Sequence, residues 1–212
     1  SSNDKGKMLI TSGVHAREWA PPELLGRFVE MLVHGYDDDD ADADITWVLQ
    51  HIEIHAILYV NPDGRYMAEK YPNLQWRKNL NPDGGCRDDA GYGVDINRNM
   101  DFMWAYRGGS SDDPCQSDYH GHEAESEPET RALADYARSL FPEGQRKNDP
   151  EGQKNTPFGE DITGMYVDIH SSGGYVYYPW GHKDSRSPDD EALQALGRKM
   201  NYFNDYLLWA GG

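Results

Sequence analysis

The sequence predicts an α/β fold built on a mainly parallel or mixed sheet. Two observations predict it. Short apolar runs that read as strands alternate with amphipathic stretches that read as helices, and His15, Asn61 and His170 each fall just past a predicted strand, where open α/β sheets keep their sites. At 212 residues the chain has the size of one domain, and the sequence predicts a single domain over residues 1–212.

The first element is Met8-Leu9-Ile10-Thr11-Ser12-Gly13-Val14, an apolar run short enough to be a buried strand that ends at His15. Pro21 and Pro22 then open a helix with Leu24, Leu25, Phe28, Met31 and Leu32 at helical spacing, closed by Gly35. A second strand follows from Ile52 to Val60, and Asn61-Pro62-Asp63-Gly64 reads as the turn that ends it. From about Pro72 to Pro114 the sequence is rich in Gly, Asn, Asp and Arg with little periodicity, which predicts long surface loops of the kind that carry function. Ser126 and Glu129 form a capping-box pattern before a helix with Leu133, Tyr136, Ala137 and Leu140 on its apolar face. A polar loop is expected from Gly144 to Asp161. Strands are expected at Met165–Ile169 and Tyr175–Tyr178, separated by Ser171-Ser172-Gly173-Gly174. A last helix is expected from Ser187, with Pro188 as its first residue and Leu193, Leu196, Met200, Phe203 and Leu207 buried.

Composition narrows the function classes. The chain holds 37 Asp and Glu against 20 Lys and Arg, a net charge of −17, so no broad phosphate-neutralising face forms and nucleic acid is not an expected partner. No apolar run approaches the ~20 residues needed to cross a bilayer, and the N-terminus lacks a basic region followed by an apolar one. Neither a membrane span nor an intact signal peptide is predicted. Aromatic residues make up 12% of the chain, which argues for a folded core. Asp37–Asp44 places six Asp among eight residues. Without the glycine turn and terminal Glu of an EF-hand loop, it reads as a solvated loop rather than a calcium site.

His15-Ala16-Arg17-Glu18 offers an imidazole and a carboxylate three residues apart, a donor set that suits zinc once a third ligand joins it. Two other His-x-x-Glu pairs, His120 with Glu123 and His122 with Glu125, overlap one another in an acidic stretch before the capping box. A solvated role fits those two better, and His120-x-His122 stays a nominal rival pair. His170 follows a strand and precedes a Ser-Ser-Gly-Gly turn, which makes it the candidate third ligand to His15 and Glu18. Trp76-Arg77-Lys78-Asn79 and Asn97-Arg98-Asn99 put Arg beside Asn in loops near strand ends. Such pairs point to recognition of a carboxylate, because guanidinium presents a planar two-pronged donor and Asn an extra N–H.

GVHAREW, NPDGRYM, WRKN, GVDINRN and DIHSSGGYVYYPWG occur here in one order, from residue 13 to residue 181. With these five segments the chain resembles the zinc metallocarboxypeptidases of the pancreatic carboxypeptidase A/B type. The resemblance implies a three-layer α/β/α catalytic domain with a twisted sheet, incomplete at both ends in residues 1–212. It implies a zinc-dependent exopeptidase that hydrolyses the C-terminal amino acid from peptides and proteins, with one Zn2+ per chain. His15, Glu18 and His170 are then the metal ligands, three protein groups that leave a fourth position open. Arg77 is the implied catalytic residue that stabilises the oxyanion. Asn97 and Arg98 match the pair that grips the substrate carboxylate, and Arg17 lines a more distal subsite. Asp95 and Asp168 are candidate structural acids, and neither is given a catalytic role.

The resemblance also implies a disulfide between Cys86 and Cys115, which would close a loop worth about 3.5 kcal/mol in the chain-entropy model, and with it a secreted or otherwise oxidising setting. Ser172 stands where the pancreatic enzymes carry Tyr. Family members place a general-base Glu and a substrate-closing Tyr beyond the last predicted helix, and neither is assigned in residues 1–212. Two other readings share the ligands: a non-turning-over zinc or peptide-binding domain, and a zinc deacylase or amidohydrolase. The Asn97-Arg98 pair ranks the exopeptidase above the deacylase, and a late-strand Glu would separate it from the binding domain.

Overall fold

The computed structural model describes residues 5–37, 41–84, 86, 91–141, 157–159, 161–182 and 185–210. Asp38, Asp39 and Asp40 of the acidic tract, and most of the polar loop expected from Gly144 to Asp161, lie outside the described residues. The chain divides into two compact units, Ser1–Gln145 with Thr163–Ser171, and Arg146–Ile162 with Ser172–Gly212. The fold is α/β, and the described sheets are parallel.

In the first unit, β1 (Gly6–Ser12) lies between β2 (Ile52–Ile57) and β3 (Gly164–Ile169), parallel to both. Its central place explains its apolar sequence, since both faces are covered. Leu9, Thr11 and Ser12 are fully buried and Ile10 almost so. The register pairs Ser12 with Ile169. That pairing places the chain just after β1 beside the chain just after β3.

Helix α1 (Ala20–Asp37) runs past the predicted stop at Gly35. The Gly35 carbonyl accepts the Asp42 N–H at 2.8 Å, and Ile45 of the next helix packs onto the residue. Of the predicted apolar face, Leu25 and Leu32 are buried, while Leu24 and Met31 are exposed. Helix α2 (Ala43–His51) was not anticipated. Asp42 caps it by accepting the Asp44 and Ile45 N–H groups, and no residue in it is buried, so it lacks the apolar stripe by which helices announce themselves. The Asn61-Pro62-Asp63-Gly64 signal also acts differently from expectation. Asn61 is the N-cap of α3 (Pro62–Lys70), with Oδ1 accepting the Gly64 N–H at 2.9 Å. Asx turn chemistry and N-cap chemistry are the same bond, and only the conformation of the next residues separates them.

Helix α4 (Pro128–Leu140) begins at Pro128 with Glu127 as N-cap, and no side chain caps it. The expected Ser126/Glu129 box does not form. Ser126 Oγ bonds Glu127 Oε1 at 2.7 Å, and Glu129 Oε2 accepts from Asn79 Nδ2 at 3.1 Å. One core joins Leu9, Val14, Val60, Ile96, Leu133 and Leu140, and a second gathers Ala16, Ala68 and Trp76. Between Pro72 and Glu127 the described backbone forms short 3-10 turns rather than longer helices or strands, as the composition predicts. The Cys86–Cys115 disulfide is formed, with Cα atoms 5.1 Å apart.

In the second unit, β4 (Tyr175–Tyr178) pairs in parallel with β5 (Leu207–Ala210). Tyr175 meets Trp209 edge-on with ring centroids 5.8 Å apart. Helix α5 spans Asp190–Met200, with its start three residues after the expected Ser187. Ser187 Oγ instead accepts the Asp189 N–H at 3.2 Å. Because α5 stops at Met200, Phe203 and Leu207 do not extend its face: Phe203 is 93% exposed, and Leu207 belongs to β5 and is 60% exposed. Among the described residues, no helix is long and apolar enough to cross a membrane.

Candidate active site

His15 leaves the end of β1 through Gly13, whose φ of +65° and whose approach to the Leu58 carbonyl, 2.9 Å from where a Cβ would lie, admit only glycine without strain. The next turn brings Glu18 back onto His15, with Nδ1 and Oε1 2.7 Å apart and both residues buried. His170 is the first residue after β3, and the β1–β3 register delivers it to the same point across 155 positions of sequence. Its Nδ1 lies 3.1 Å from His15 Nδ1 and 3.1 Å from Glu18 Oε2. The Ser171 N–H donates to that Oε2 at 3.0 Å. Among the described residues, His15, Glu18 and His170 are the one group of three or more His, Cys, Asp or Glu with ligand atoms close enough to share an ion, all within 4.8 Å of one another.

Each imidazole is held from behind. His15 Nε2 meets Asp95 Oδ1 at 3.2 Å, and His170 Nε2 meets Asp168 Oδ2 at 2.6 Å. An ionised carboxylate only accepts, so both Nε2 atoms carry the proton and both Nδ1 lone pairs turn inward when the rings are neutral. Thr11 Oγ1 donates to Asp168 Oδ1 at 2.6 Å and lies 2.9 Å from the Tyr166 hydroxyl. Desolvation of its hydroxyl, although the residue as a whole is exposed, and the charge of Asp168 push the Tyr166 hydroxyl well above the usual phenol range.

Asp95 is fully buried and joins two parts of the site. Oδ1 meets His15 and the Asn97 N–H, while Oδ2 accepts from Arg77 Nε at 3.1 Å and Nη2 at 2.7 Å. Burial alone would raise its pKa. The hydrogen bond and charge of His15 and those of Arg77 outweigh it and hold the carboxyl below its ordinary range. Glu18 follows the same balance. Burial pushes it up, but hydrogen bonds from His15, His170 and the Ser171 N–H bring it down to about 2. Burial pushes His170 down, and its bonds to Asp168 and Glu18 more than reverse this, to about 9.

Asn97 and Arg98 lie on a 3-10 turn, Ile96–Arg98, that Asp95 caps. Asn97 is exposed. Arg98 Nη1 donates to the Asn97 carbonyl at 2.9 Å, while its Nε is buried with no hydrogen-bond partner among the described residues. Arg17 is exposed. The rival pair comes apart: His120 is buried with Nδ1 on the Gly121 carbonyl at 2.8 Å, and the side chain of His122 is 70% exposed beside Glu123.

Residue typing left the linking roles of Asp95, Asn61 and Lys78 unread. Asn61 Nδ2 donates to the Val14 and Lys78 carbonyls, tying the His15 turn to the Arg77 segment. Lys78 is buried, and its Nζ donates to the Pro114 and Gln116 carbonyls on either side of Cys115.

A family model described as zinc carboxypeptidase matches residues 1–206. The chain belongs to the zinc carboxypeptidase family. Carboxypeptidase B of Helicoverpa zea is 29% identical over 200 residues, which cover 93% of this chain and 39% of that protein. Carboxypeptidase A4 of Mus musculus is 30% identical over 189 residues, 89% of this chain and 38% of that protein. The crystal structure of thrombin activatable fibrinolysis inhibitor superposes with a TM-score of 0.77 at 28% identity, over 100% of this chain and 48% of that one. Carboxypeptidase A from Helicoverpa armigera, at 24% identity and a TM-score of 0.73, shares the fold. This zinc carboxypeptidase chain spans about two-fifths of the length of the curated relatives it matches.

Proposed function

We propose that this zinc carboxypeptidase chain carries the metal cradle and the carboxylate clamp of an exopeptidase that removes the C-terminal residue from peptides and proteins. His15, Glu18 and His170 would hold one zinc ion. The donor chemistry supports the fit. The two inward Nδ1 atoms are 3.1 Å apart with a carboxylate against both, a nitrogen and carboxylate donor set that would suit zinc. Neutral lone pairs that face one another at this distance repel, and a cation between them removes the repulsion. Zinc bound there supplies Lewis-acid polarisation of the scissile carbonyl and activation of water.

The residues around the cradle act on the substrate. Asp95 spends two donors of Arg77 and fixes the plane of the guanidinium, whose remaining N–H groups face charge that develops on the carbonyl oxygen. Asn97 and Arg98 bind the free carboxylate, and the observation that carries this role is their place on one turn capped by Asp95, with Asn97 exposed and Arg98 Nη1 given to the Asn97 carbonyl, which leaves further guanidinium N–H groups for an anion. Gripping the terminus selects the last peptide bond. Arg17, exposed beside Glu18, contacts the substrate further from that bond. The Cys86–Cys115 disulfide supports secretion or another oxidising compartment.

The test compares a blocked dipeptide with its C-terminal amide. Cleavage of the free acid alone is the expected result, and equal cleavage of both overturns the clamp. Arg98→Ala is expected to raise KM by at least ~10-fold, as loss of a charge-assisted bond would, while zinc content by atomic absorption stays at one per chain. His170→Ala is expected to abolish stoichiometric zinc binding, and full retention would move the metal elsewhere.

A further inference from the structure

Glu127 is fully buried. It holds the N-cap position of α4 and gives its carboxylate to neither that helix nor solvent. Oε2 accepts from Asn79 Nδ2 at 2.6 Å and Asn81 Nδ2 at 2.9 Å, and Oε1 accepts from Asn81 Nδ2 at 3.1 Å and Ser126 Oγ at 2.7 Å. Its own N–H donates to Asn99 Oδ1 at 3.1 Å. These partners are neutral, so a carboxylate is kept inside the protein by amide and hydroxyl donors alone. Such a group is costly to bury and stays only where every lone pair is met.

The amides its carboxylate gathers, Asn79 and Asn81, belong to the Arg77 loop, while Ser126 Oγ, which it holds, accepts from Asn99 Nδ2 of the other loop, and its own N–H bonds Asn99 Oδ1. Asn79 comes two residues after Arg77, and it pairs with Val94 twice: its N–H donates to the Val94 carbonyl at 3.0 Å, and its Oδ1 accepts the Val94 N–H at 2.8 Å. Val94 precedes Asp95. Asn99 follows Arg98 and spreads its Nδ2 over the His120 and Glu123 carbonyls and Ser126 Oγ. Gly93 lets these loops close together, since a Cβ there would lie 2.1 Å from the Asn79 carbonyl oxygen and its φ is +96°. Asn79 and Asn99 are themselves buried.

We propose that Glu127 is a positioning residue whose carboxylate locks the Arg77 loop, through Asn79 and Asn81, to the Asn97-Arg98 loop, through Ser126 and Asn99. The proposal rests on the exopeptidase reading for what the loops do, and on the geometry above for how they are held. An oxyanion donor and a carboxylate clamp must keep a fixed separation to act on one substrate, and a displacement on the order of 1 Å costs ~100-fold in rate.

Glu127→Gln keeps the shape and replaces an acceptor oxygen by an NH2 that faces the donors of Asn79, Asn81 and Ser126. Hydrogen exchange reads the consequence without substrate. The Val94 and Asn97 amides, held by Asn79 Oδ1 and Asp95 Oδ1, are expected to exchange at least ~10-fold faster, with the β1 amides unchanged. Zinc content is expected to stay intact, while kcat falls and KM rises together, unlike the KM effect of Arg98→Ala. Unchanged exchange at Val94 and Asn97, or acceleration shared equally by β1, overturns the proposal. Should the Gln variant not fold, Glu127→Asp retains the charge, shortens its reach and is read the same way. A protein without peptidase activity would sink the exopeptidase reading and leave the exchange result to decide Glu127.

Discussion

At the scale of single residues, the site is governed by carboxylates behind the groups that face it. Asp95 contacts both His15 and Arg77 from a fully buried position, so one side chain sets an imidazole tautomer and a guanidinium plane together. Asp95→Asn keeps the volume and removes the charge. Its amide nitrogen would face either the His15 Nε2–H or the Arg77 donors, so one of them loses its acceptor. Zinc affinity is expected to fall ~10–100-fold, the range for loss of a group that orients a ligand, as read by chelator competition. Unaltered affinity would mean that His15 is oriented without Asp95. The grouping of His15, Glu18 and His170 was suggested by residue type and by their places after strands, and the structure brings the three together, while the role proposed for Arg77 came only from the family resemblance. The work of Asp95 was not legible, because a buried Asp in a loop carries no mark of which cations the fold brings to it.

At the scale of elements, β1 to β4 and the strongly amphipathic helices followed from pattern, β5 did not because its first residue, Leu207, read as the end of the last helix, and helix boundaries followed from caps that the pattern could not rank. β1 and β3 were readable from their apolar runs. α2 was hidden because it buries nothing fully, and α3 was hidden behind an Asn-Pro-Asp-Gly signal that serves turns and N-caps alike. The capping box before α4 failed because Glu129 and Ser126 were recruited by Asn79, Asn99 and Glu127, and the two asparagines among these partners are distant in sequence. The Arg77 loop is anchored by Trp76, which is 1% exposed, stands against Tyr92 with ring centroids 4.7 Å apart, and gives its Nε1–H to the Lys78 carbonyl at 2.8 Å. Trp76→Ala is expected to cost about 3–5 kcal/mol, measured by urea unfolding, because it empties the centre of the second core. A loss under ~1 kcal/mol would show that the loop is held by its polar bonds alone.

At the scale of the whole molecule, the cradle links folding to pH in the metal-free protein. Glu18 titrates near 2 in the folded state against 4.5 ordinarily, so its contribution is present above pH 4.5 and is lost as pH falls toward 2. His170 titrates near 9 against 6.5, so its contribution is full below pH 6.5 and is lost as pH rises through 9. The two windows overlap between pH 4.5 and 6.5. Unfolding midpoints of zinc-free protein are expected to be highest there and to fall on both sides, and a midpoint that rises steadily from pH 6.5 to 9 would contradict the coupling. The proton on His170 occupies the place that the ion takes in the zinc reading, since either one relieves two inward imidazole nitrogens. The sequence by itself determined the alternation of strands and helices, the zinc-suited donor types and the pairs of Arg with Asn, because periodicity and side-chain chemistry are local properties. Only the tertiary structure decided that Ser12 stands beside Ile169, that Asp95 serves His15 and Arg77 at once, and that Glu127 bonds Asn79, Asn81 and Asn99. Strand register and long-range hydrogen bonds join residues whose separation along the chain leaves no local signal.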